Sequence, residues 1–429
     1  MVIRQQQPAA GRGRRRSAVG RACSAALLAT AVLCTPSIHP AAVPPAAIER
    51  TAGWTVPAAP SQDDDDSTSE STQTPNPLVL DSGGQVEDVQ SWEQQRRPEL
   101  LEAFQEHVYG QSLPTPEEVT FDDGGASGES AKTVTISVTG PAGTASFTLR
   151  LFVPETGTPT GTFLLIDHRG SVGDDADSSS GYAPTAKILD AGYAFAALNA
   201  EEVAPDDAGS YRDGVINAFY PAGQDLPSDA GRTISAWAWG ASRAMDYLET
   251  DPDIDPSKVA VIGHSRGGKA ALWAGAQDTR FPVVISNNSG STGAKLARRD
   301  DSGESIAAIT EQFPHWFPDT YSRYAGNAGS LPVDQNQLLA LIAPGRVVVG
   351  SATDDGNADP QGEFLSYLGA APAYELYGLG DTGLTSDSWP PTENEAFRGP
   401  GMSYHLRAGS HGLEETDWDM YLAGELFER

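Results

Sequence analysis
Short apolar runs alternate along this chain with longer stretches in which apolar residues recur every three or four positions. The first pattern predicts buried strands and the second predicts helices. Residues 92–109 carry Leu100, Leu101, Phe104 and Val108 at helical spacing and stop at Gly110, as a helix would. Residues 133–139 and 146–153 read as a hairpin across Gly140-Pro141-Ala142-Gly143. Strands are expected over 162–166, 193–198, 258–262, 283–286, 347–350 and 374–377. Helices are expected over 185–191, 234–248, 266–276 and 418–427, and around 364–368. Such alternation predicts an α/β fold, a mostly parallel sheet covered by helices on both faces, with the hairpin as its antiparallel N-terminal edge. Stretches 201–231, 296–335 and 379–410 show no clear period. Long loops of this kind are usually functional, and on such a sheet they gather at the carboxyl ends of the strands.

The first residues break the pattern. Arg4, Arg12, Arg14, Arg15, Arg16 and Arg21 precede a short apolar stretch, Ala25 to Leu33, and then small and Pro-rich residues. This is the layout of a secretory signal peptide over 1–47, exported by the general or the twin-arginine route. Leu33 stands before Cys34, where a lipoprotein signal wants a small residue, so no lipid anchor is expected. Residues 48–85 are polar and acidic, with Asp63-Asp64-Asp65-Asp66, and read as a solvated linker before a catalytic domain over 86–429.

Charge then narrows the function. The 429 residues carry a net charge of −30, and removing six leader arginines and no acid takes it to −36. A chain so acidic is ill suited to gripping phosphate backbones, which argues against a nucleic-acid partner. Cys23 and Cys34 are the two cysteines, and both leave with the leader. The exported chain would then have no disulfide, no Cys nucleophile and no Cys-ligated metal. His168 beside Asp167 is an isolated pair of potential ligands, and no metal or cofactor is expected.

The stretch Lys258-Val259-Ala260-Val261-Ile262-Gly263-His264-Ser265-Arg266-Gly267-Gly268-Lys269 joins an apolar strand to a helix through G-x-S-x-G. A nucleophile elbow holds its serine in a strained turn, and side chains two residues either side would clash, so Gly263 and Gly267 fit. The helix start behind Ser265 offers positive potential where an oxyanion would form. His264 adjoins Ser265, but the turn points neighbouring side chains apart, so it is not the expected base. Where this elbow occurs, the nucleophile is followed in the chain by the acid and then by the histidine. His315, His405 and His411 lie downstream. His411, in the Gly-flanked loop Ala408-Gly409-Ser410-His411-Gly412 before the last helix, is the expected base; the other two read as structural. The acid should follow the strand at 347–350, where Asp355 precedes Gly356; Asp354 is the alternative, and Asp359 reads as a helix cap. The loop His168-Arg169-Gly170 reads as part of the oxyanion and substrate rim.

Taken together, Gly263-His264-Ser265-Arg266-Gly267-Gly268-Lys269-Ala270-Ala271-Leu272-Trp273, Trp237-Ala238-Trp239-Gly240, Phe313-Pro314-His315-Trp316-Phe317 and Ala358-Asp359-Pro360-Gln361-Gly362-Glu363-Phe364 resemble the bacterial glucuronoyl esterases, carbohydrate esterase family fifteen. The similarity runs over roughly residues 87–429. It implies an α/β-hydrolase fold and cleavage of esters between the glucuronic acid side chains of glucuronoxylan and lignin alcohols. It also implies Ser265 as nucleophile and His411 as base, Arg266 as an oxyanion partner, and Lys269 and Glu304 as ligands of sugar hydroxyls. Lys269 is one helical turn beyond Ser265 and can reach the same cleft. Some members supply the acid as Glu after the next strand; here that segment, Asn287-Asn288-Ser289-Gly290, has no carboxylate, which leaves Asp355 or Asp354. Many members pack a Trp on the sugar where this chain has Asn357, so Trp316, or Trp389 in the 379–403 loop, is expected to supply that surface. An acetyl or feruloyl xylan esterase is the alternative within the class, and a non-catalytic polysaccharide-binding domain the alternative outside it. A monomer is expected, with no membrane partner after export.

Overall fold
Ten strands form one sheet in the computed structural model, which describes residues 74–124, 132–155, 157–424 and 426–428. The expected leader and residues 48–73 of the expected linker lie outside these. In chain order the strands are β1 (Glu118–Asp122), β2 (Lys132–Gly140), β3 (Gly143–Phe152), β4 (Thr162–Asp167), β5 (Ala194–Asn199), β6 (Val259–His264), β7 (Val283–Asn287), β8 (Arg346–Ala352), β9 (Ala396–Arg398) and β10 (Met402–Arg407). Their spatial order is β1-β2-β3-β5-β4-β6-β7-β8-β10-β9. Neighbours from β5 through β10 pair in parallel, while β1, β2 and β3 on one side and β9 on the other are antiparallel. This is the predicted mostly parallel sheet with its antiparallel N-terminal edge.

Both faces are buried, as the apolar runs require. In β4, Leu164 and Ile166 join one apolar layer while Phe163 and Leu165 join the other. β6 divides in the same way, Val259 and Val261 against Ala260 and Ile262. The larger layer holds Trp237 from the helix Thr233–Leu248 and Trp273 from the helix Arg266–Gln277. The smaller holds Trp418 from the helix Glu415–Leu422. The helical run at the N-terminus spans Val89 to Tyr109, mixing α and π turns, and ends at Gly110 with φ 81°.

Four expectations need correction. Residues 74–85 were assigned to the linker but are packed on the domain: Asn336 Nδ2 donates to Pro75 O at 2.8 Å, and Arg96 Nε to Pro77 O at 3.2 Å. Their polar composition concealed Leu78 and Leu80, which rest on the core. Residues 374–377 are not a strand; Tyr374 lies in the helix Pro360–Glu375 and a turn follows. Four apolar-rich residues fit either element, and Pro372 inside the helix obscured its period. The last helix is Glu415–Leu422, shorter than 418–427 and shifted towards its cap at Glu414.

The fourth correction is β10, which arises inside the stretch 379–410 that lacked a period. All six of its residues are buried although three are polar. Asp417, fully buried, allows this: it accepts from His405 Nε2 and from Arg407 Nε, each at 2.8 Å. Removing it leaves two buried groups without their acceptor, so Asp417→Ala should lower unfolding free energy by about 3 kcal/mol or more in urea titrations. A loss within experimental error would show that the pair is not needed.

Candidate active site
Six parallel strands end at the same edge of the sheet, and the candidate site follows the carboxyl ends of four of them. Ser265 follows β6, Asn288 follows β7, Asp355 lies just beyond β8 and His411 just beyond β10. Chain direction reverses around β4, with β5 on one side and β6 on the other, so the cleft lies where doubly wound sheets bind ligands.

Ser265 has φ 54° and ψ −126°, a strained conformation for a residue with a side chain. The turn closes only without neighbouring side chains. A Cβ at residue 263 would lie 2.0 Å from the Gly267 carbonyl oxygen, and one at residue 267 would lie 2.9 Å from the Ile166 oxygen. Ser265 N donates to Asn287 O at 2.9 Å, tying the elbow to the end of β7. The helix Arg266–Gln277 begins immediately after the serine and directs its amino end at the cleft.

His411 Nδ1 lies 2.6 Å from Asp355 Oδ2. A carboxylate only accepts, so the proton is on Nδ1 and Nε2 is the basic nitrogen. Asp355 is 3% exposed, and burial alone would raise its pKa. Hydrogen bonds from His411, Asn288 Nδ2 at 3.0 Å and Ala358 N at 3.2 Å outweigh burial and hold the carboxyl below its ordinary value. Of the two candidate acids, Asp355 is the one that meets His411. Asp354 is exposed, and its backbone N donates to Gly409 O at 2.9 Å. Asp359 stands at the start of the next helix but does not cap it; its carboxylate accepts from Arg299 Nε at 2.7 Å.

The loop that carries His411 is wrapped around one side chain. Arg407 donates to the carbonyls of Ala408 at 3.0 Å, Ser410 at 2.7 Å and Gly412 at 3.0 Å, while its Nε is held by Asp417. The same aspartate that stabilises β10 thus helps fix the loop that carries His411.

Ser265, His411, Arg266, Lys269, Glu304, Trp316 and Asn357 all line one cleft of about 320 Å³. Arg266 pairs with Asp206, and its guanidinium carbon lies 4.7 Å from the Trp316 ring centroid and 5.1 Å from that of Phe313. Those two rings are stacked, with centroids 3.7 Å apart and planes at 2°. Asp206 also accepts from Trp316 Nε1 at 2.6 Å and His315 Nε2 at 2.8 Å. Burial raises the Asp206 pKa, but these donors outweigh it and hold the carboxyl well below the usual range. Lys269 Nζ donates to Ser289 O and Ser291 O, each at 2.6 Å, and lies 3.9 Å from Glu304 Oε2. Burial lowers the Lys269 pKa to about 8. Two of its three ammonium protons are thus committed to backbone, and Trp316, 3% exposed, offers little ring surface to a ligand.

The remaining histidines are accounted for. His315 and His405 pair with Asp206 and Asp417. His264 Nδ1 lies 2.8 Å from Asn287 Oδ1, and burial keeps its pKa well below the ordinary value. His168-Arg169-Gly170 does not line the cleft; His168 packs against Tyr182 and behind Gly267. Among the described residues no three His, Cys, Asp or Glu side chains converge as a metal would need, and no helix is long and apolar enough to cross a membrane.

The chain is similar to known proteins along most of its length. The family model for fungal glucuronyl esterases matches residues 136–378. A carbohydrate esterase from an unknown prokaryotic organism is 36% identical over 387 residues, spanning 81% of this chain and 88% of that protein. The chain belongs to the glucuronoyl esterase family. A solved glucuronoyl esterase from Solibacter usitatus, 36% identical, superposes with a TM-score of 0.73 over 82% of this chain and 97% of its own. A 4-O-methyl-glucuronoyl methylesterase from Wolfiporia cocos is 28% identical over 72% of each chain. These neighbours carry the α/β-hydrolase fold.

Within this glucuronoyl esterase the sequence pattern did not reveal Asp206, Asn288, Arg407 or Glu363. Asp206 lies in an aperiodic stretch, and Arg407 is a cation inside an unrecognised strand. Glu363, fully buried, accepts from Gly290 N at 2.8 Å and Ser351 Oγ at 2.6 Å, bracing the loop opposite Lys269. Burial pushes its carboxyl up to about 7.

Two expectations follow. Asp355→Asn should lower kcat by about 10⁴ by unsettling the imidazole tautomer. Asp354→Asn should leave kcat within about twofold, as exposed polar replacements do; equal losses in steady-state assays would refute the assignment. The second concerns stability. Folded Glu363 keeps its proton up to about pH 7, whereas the unfolded chain loses it near the ordinary carboxylate value, so the folded state holds more protons between about pH 5 and 7. Its contribution to stability is therefore present at low pH and lost as pH rises through that window. Urea melts at both pH values should show a fall that Glu363→Gln lacks; the same slope in both proteins would exclude it.

Proposed function
We propose that this chain is a serine esterase that hydrolyses esters of glucuronic acid, the 4-O-methyl-glucuronoyl side chains of glucuronoxylan joined to lignin alcohols, through an acyl-enzyme. The observation that carries this reading is the His411–Asp355 pair opening on the same cleft as Ser265 at its elbow. Ser265 Oγ attacks the ester carbonyl as His411 Nε2 takes its proton. The carbonyl electron pair moves to oxygen and is met by N–H groups at the start of the helix, that of Arg266 among them. His411 then gives the proton to the departing alcohol oxygen as the C–O bond breaks, leaving the uronoyl group on Ser265. Water, deprotonated by His411, releases the acid and restores the serine.

The charges of the cleft support a uronate ester. The ester is neutral and its tetrahedral intermediate is an anion, so Arg266 and Lys269 favour the transition state over the ground state. Lys269 and Glu304 would meet sugar hydroxyls, and Trp316 would close the wall behind them. The leader over 1–47 would direct the protein out of the cell, where such esters occur, as a cysteine-free monomer that needs no cofactor.

Ser265→Ala should lower kcat on benzyl glucuronate by about 10⁴ or more. Retained turnover would remove the serine mechanism. Benzyl glucuronate, acetylated xylan and methyl ferulate should be offered side by side, with release of glucuronic acid expected to dominate. Release of acetate alone would replace this reading with that of an acetyl xylan esterase.

A further inference from the structure
The reaction proposed above ends in an anion, and the cleft that forms it holds two cations. A glucuronate carboxylate left beside an unbalanced guanidinium and ammonium would be retained by the same charges that stabilise the intermediate. The surroundings of Arg266 bear on this. Asp206 reaches the guanidinium from outside the cleft lining, and its own side chain is 10% exposed against 29% for Arg266. One carboxylate gathers three donors from two separate segments of the chain. Oδ2 takes Arg266 Nη1, while Oδ1 takes Trp316 Nε1 at 2.6 Å and His315 Nε2 at 2.8 Å. Asp206 N donates to Glu201 Oε2 at 3.1 Å, which holds the loop behind it. Arg266 Nε is buried and without a partner, and the guanidinium is confined against the stacked rings of Phe313 and Trp316.

We propose that Asp206 is a positioning residue and internal counter-ion: it fixes the Arg266 guanidinium on the cleft wall and balances its charge, so that the cleft releases the carboxylate product. The inference rests on the uronate-esterase reading. Orientation and net charge are separable here. Fixed N–H groups aim at an oxyanion whose position is set by the bond to Ser265 Oγ, whereas a free product carboxylate is drawn by net charge and can settle anywhere within its reach. Asp206 supplies the first and cancels much of the second. Its donors keep it ionised through neutral and mildly acidic pH. Lys269 is treated alike, with Glu304 Oε2 3.9 Å away and two protons committed to backbone.

The test is inhibition of p-nitrophenyl acetate hydrolysis by free glucuronate, a readout that does not require turnover of a uronate ester. Asp206→Asn keeps the shape but presents an amide to the guanidinium and frees its charge. The inhibition constant should fall roughly three- to tenfold, a change of about 0.7 to 1.4 kcal/mol. Asp206→Glu, which retains the charge, should stay near the wild-type value, and Arg266→Met added to Asp206→Asn should abolish the gain. Unchanged inhibition in a folded Asp206→Asn protein, or glucuronate that inhibits none of these proteins, overturns the proposal. If Asp206→Asn does not fold, calorimetry on Ser265→Ala decides: it should bind methyl glucuronate at least as tightly as glucuronate, and a strong preference for the acid overturns the inference. Failure of the uronate reading would appear separately, as wild-type protein that does not cleave benzyl glucuronate.

Discussion

Gly263 lies so close to the Gly267 carbonyl that it tolerates no side chain, and the candidate active site depends on that contact. The carbonyl of Gly267 occupies the place a Cβ at residue 263 would need. Only this overlap lets the chain reverse from β6 into a helix within one residue, and only that reversal leaves Ser265 at positive φ above the sheet. The helix must then cross close over β4, where Gly267 meets Ile166, and the elbow is pinned to β7 through Asn287. Strain of this kind, on the order of 1–3 kcal/mol, persists only where the surroundings over-determine it. Here they do, from three strands.

Buried aspartates organise what surrounds the elbow. Asp355 accepts from His411, Asn288 and Ala358; Asp417 from His405, Arg407 and Glu414; Asp206 from Arg266, Trp316 and His315. Asp355 and Asp206 join segments far apart in sequence, and Asp417 ties β10 to the helix that follows it, because two oxygens can take several donors and an ionised acceptor forms the stronger kind of hydrogen bond. An acidic chain thus uses a few of its carboxylates as internal joints. Among the described residues most of the acids remain available to solvent, where they contribute to the net charge and have little bearing on the fold.

What could be read from the sequence was whatever depends on neighbours along the chain. The elbow is a local steric pattern, so Ser265 with its two glycines was legible. The meeting of His411 with an aspartate beyond β8 was legible because chain order and turn residues narrow the choice, and in the structure it is Asp355, not Asp354, that lies 2.6 Å from the imidazole. β10 was hidden because His405 and Arg407 are polar, and their partner Asp417 lies in the following helix. Asp206 was hidden for the same reason on a larger scale: its three donors come from other segments, and nothing beside it in the chain marks it. Residues 374–377 were misread because a four-residue apolar run carries too little period to tell a strand from the end of a helix.

One property of the base has a further consequence. Although Asp355 is buried, the side chain of His411 keeps 45% of its exposure. The acyl-enzyme route proposed for this cleft needs a water molecule beside this imidazole once the alcohol has left. A base that already borders bulk solvent is supplied directly, without an internal channel or a moving lid to admit water. The open rim also suits a polymer far larger than the cleft: the main chain of a polysaccharide can remain outside while one side group enters. On that proposal, hydration of the acyl-enzyme and access for a bulky substrate rest on the same exposed edge of one histidine.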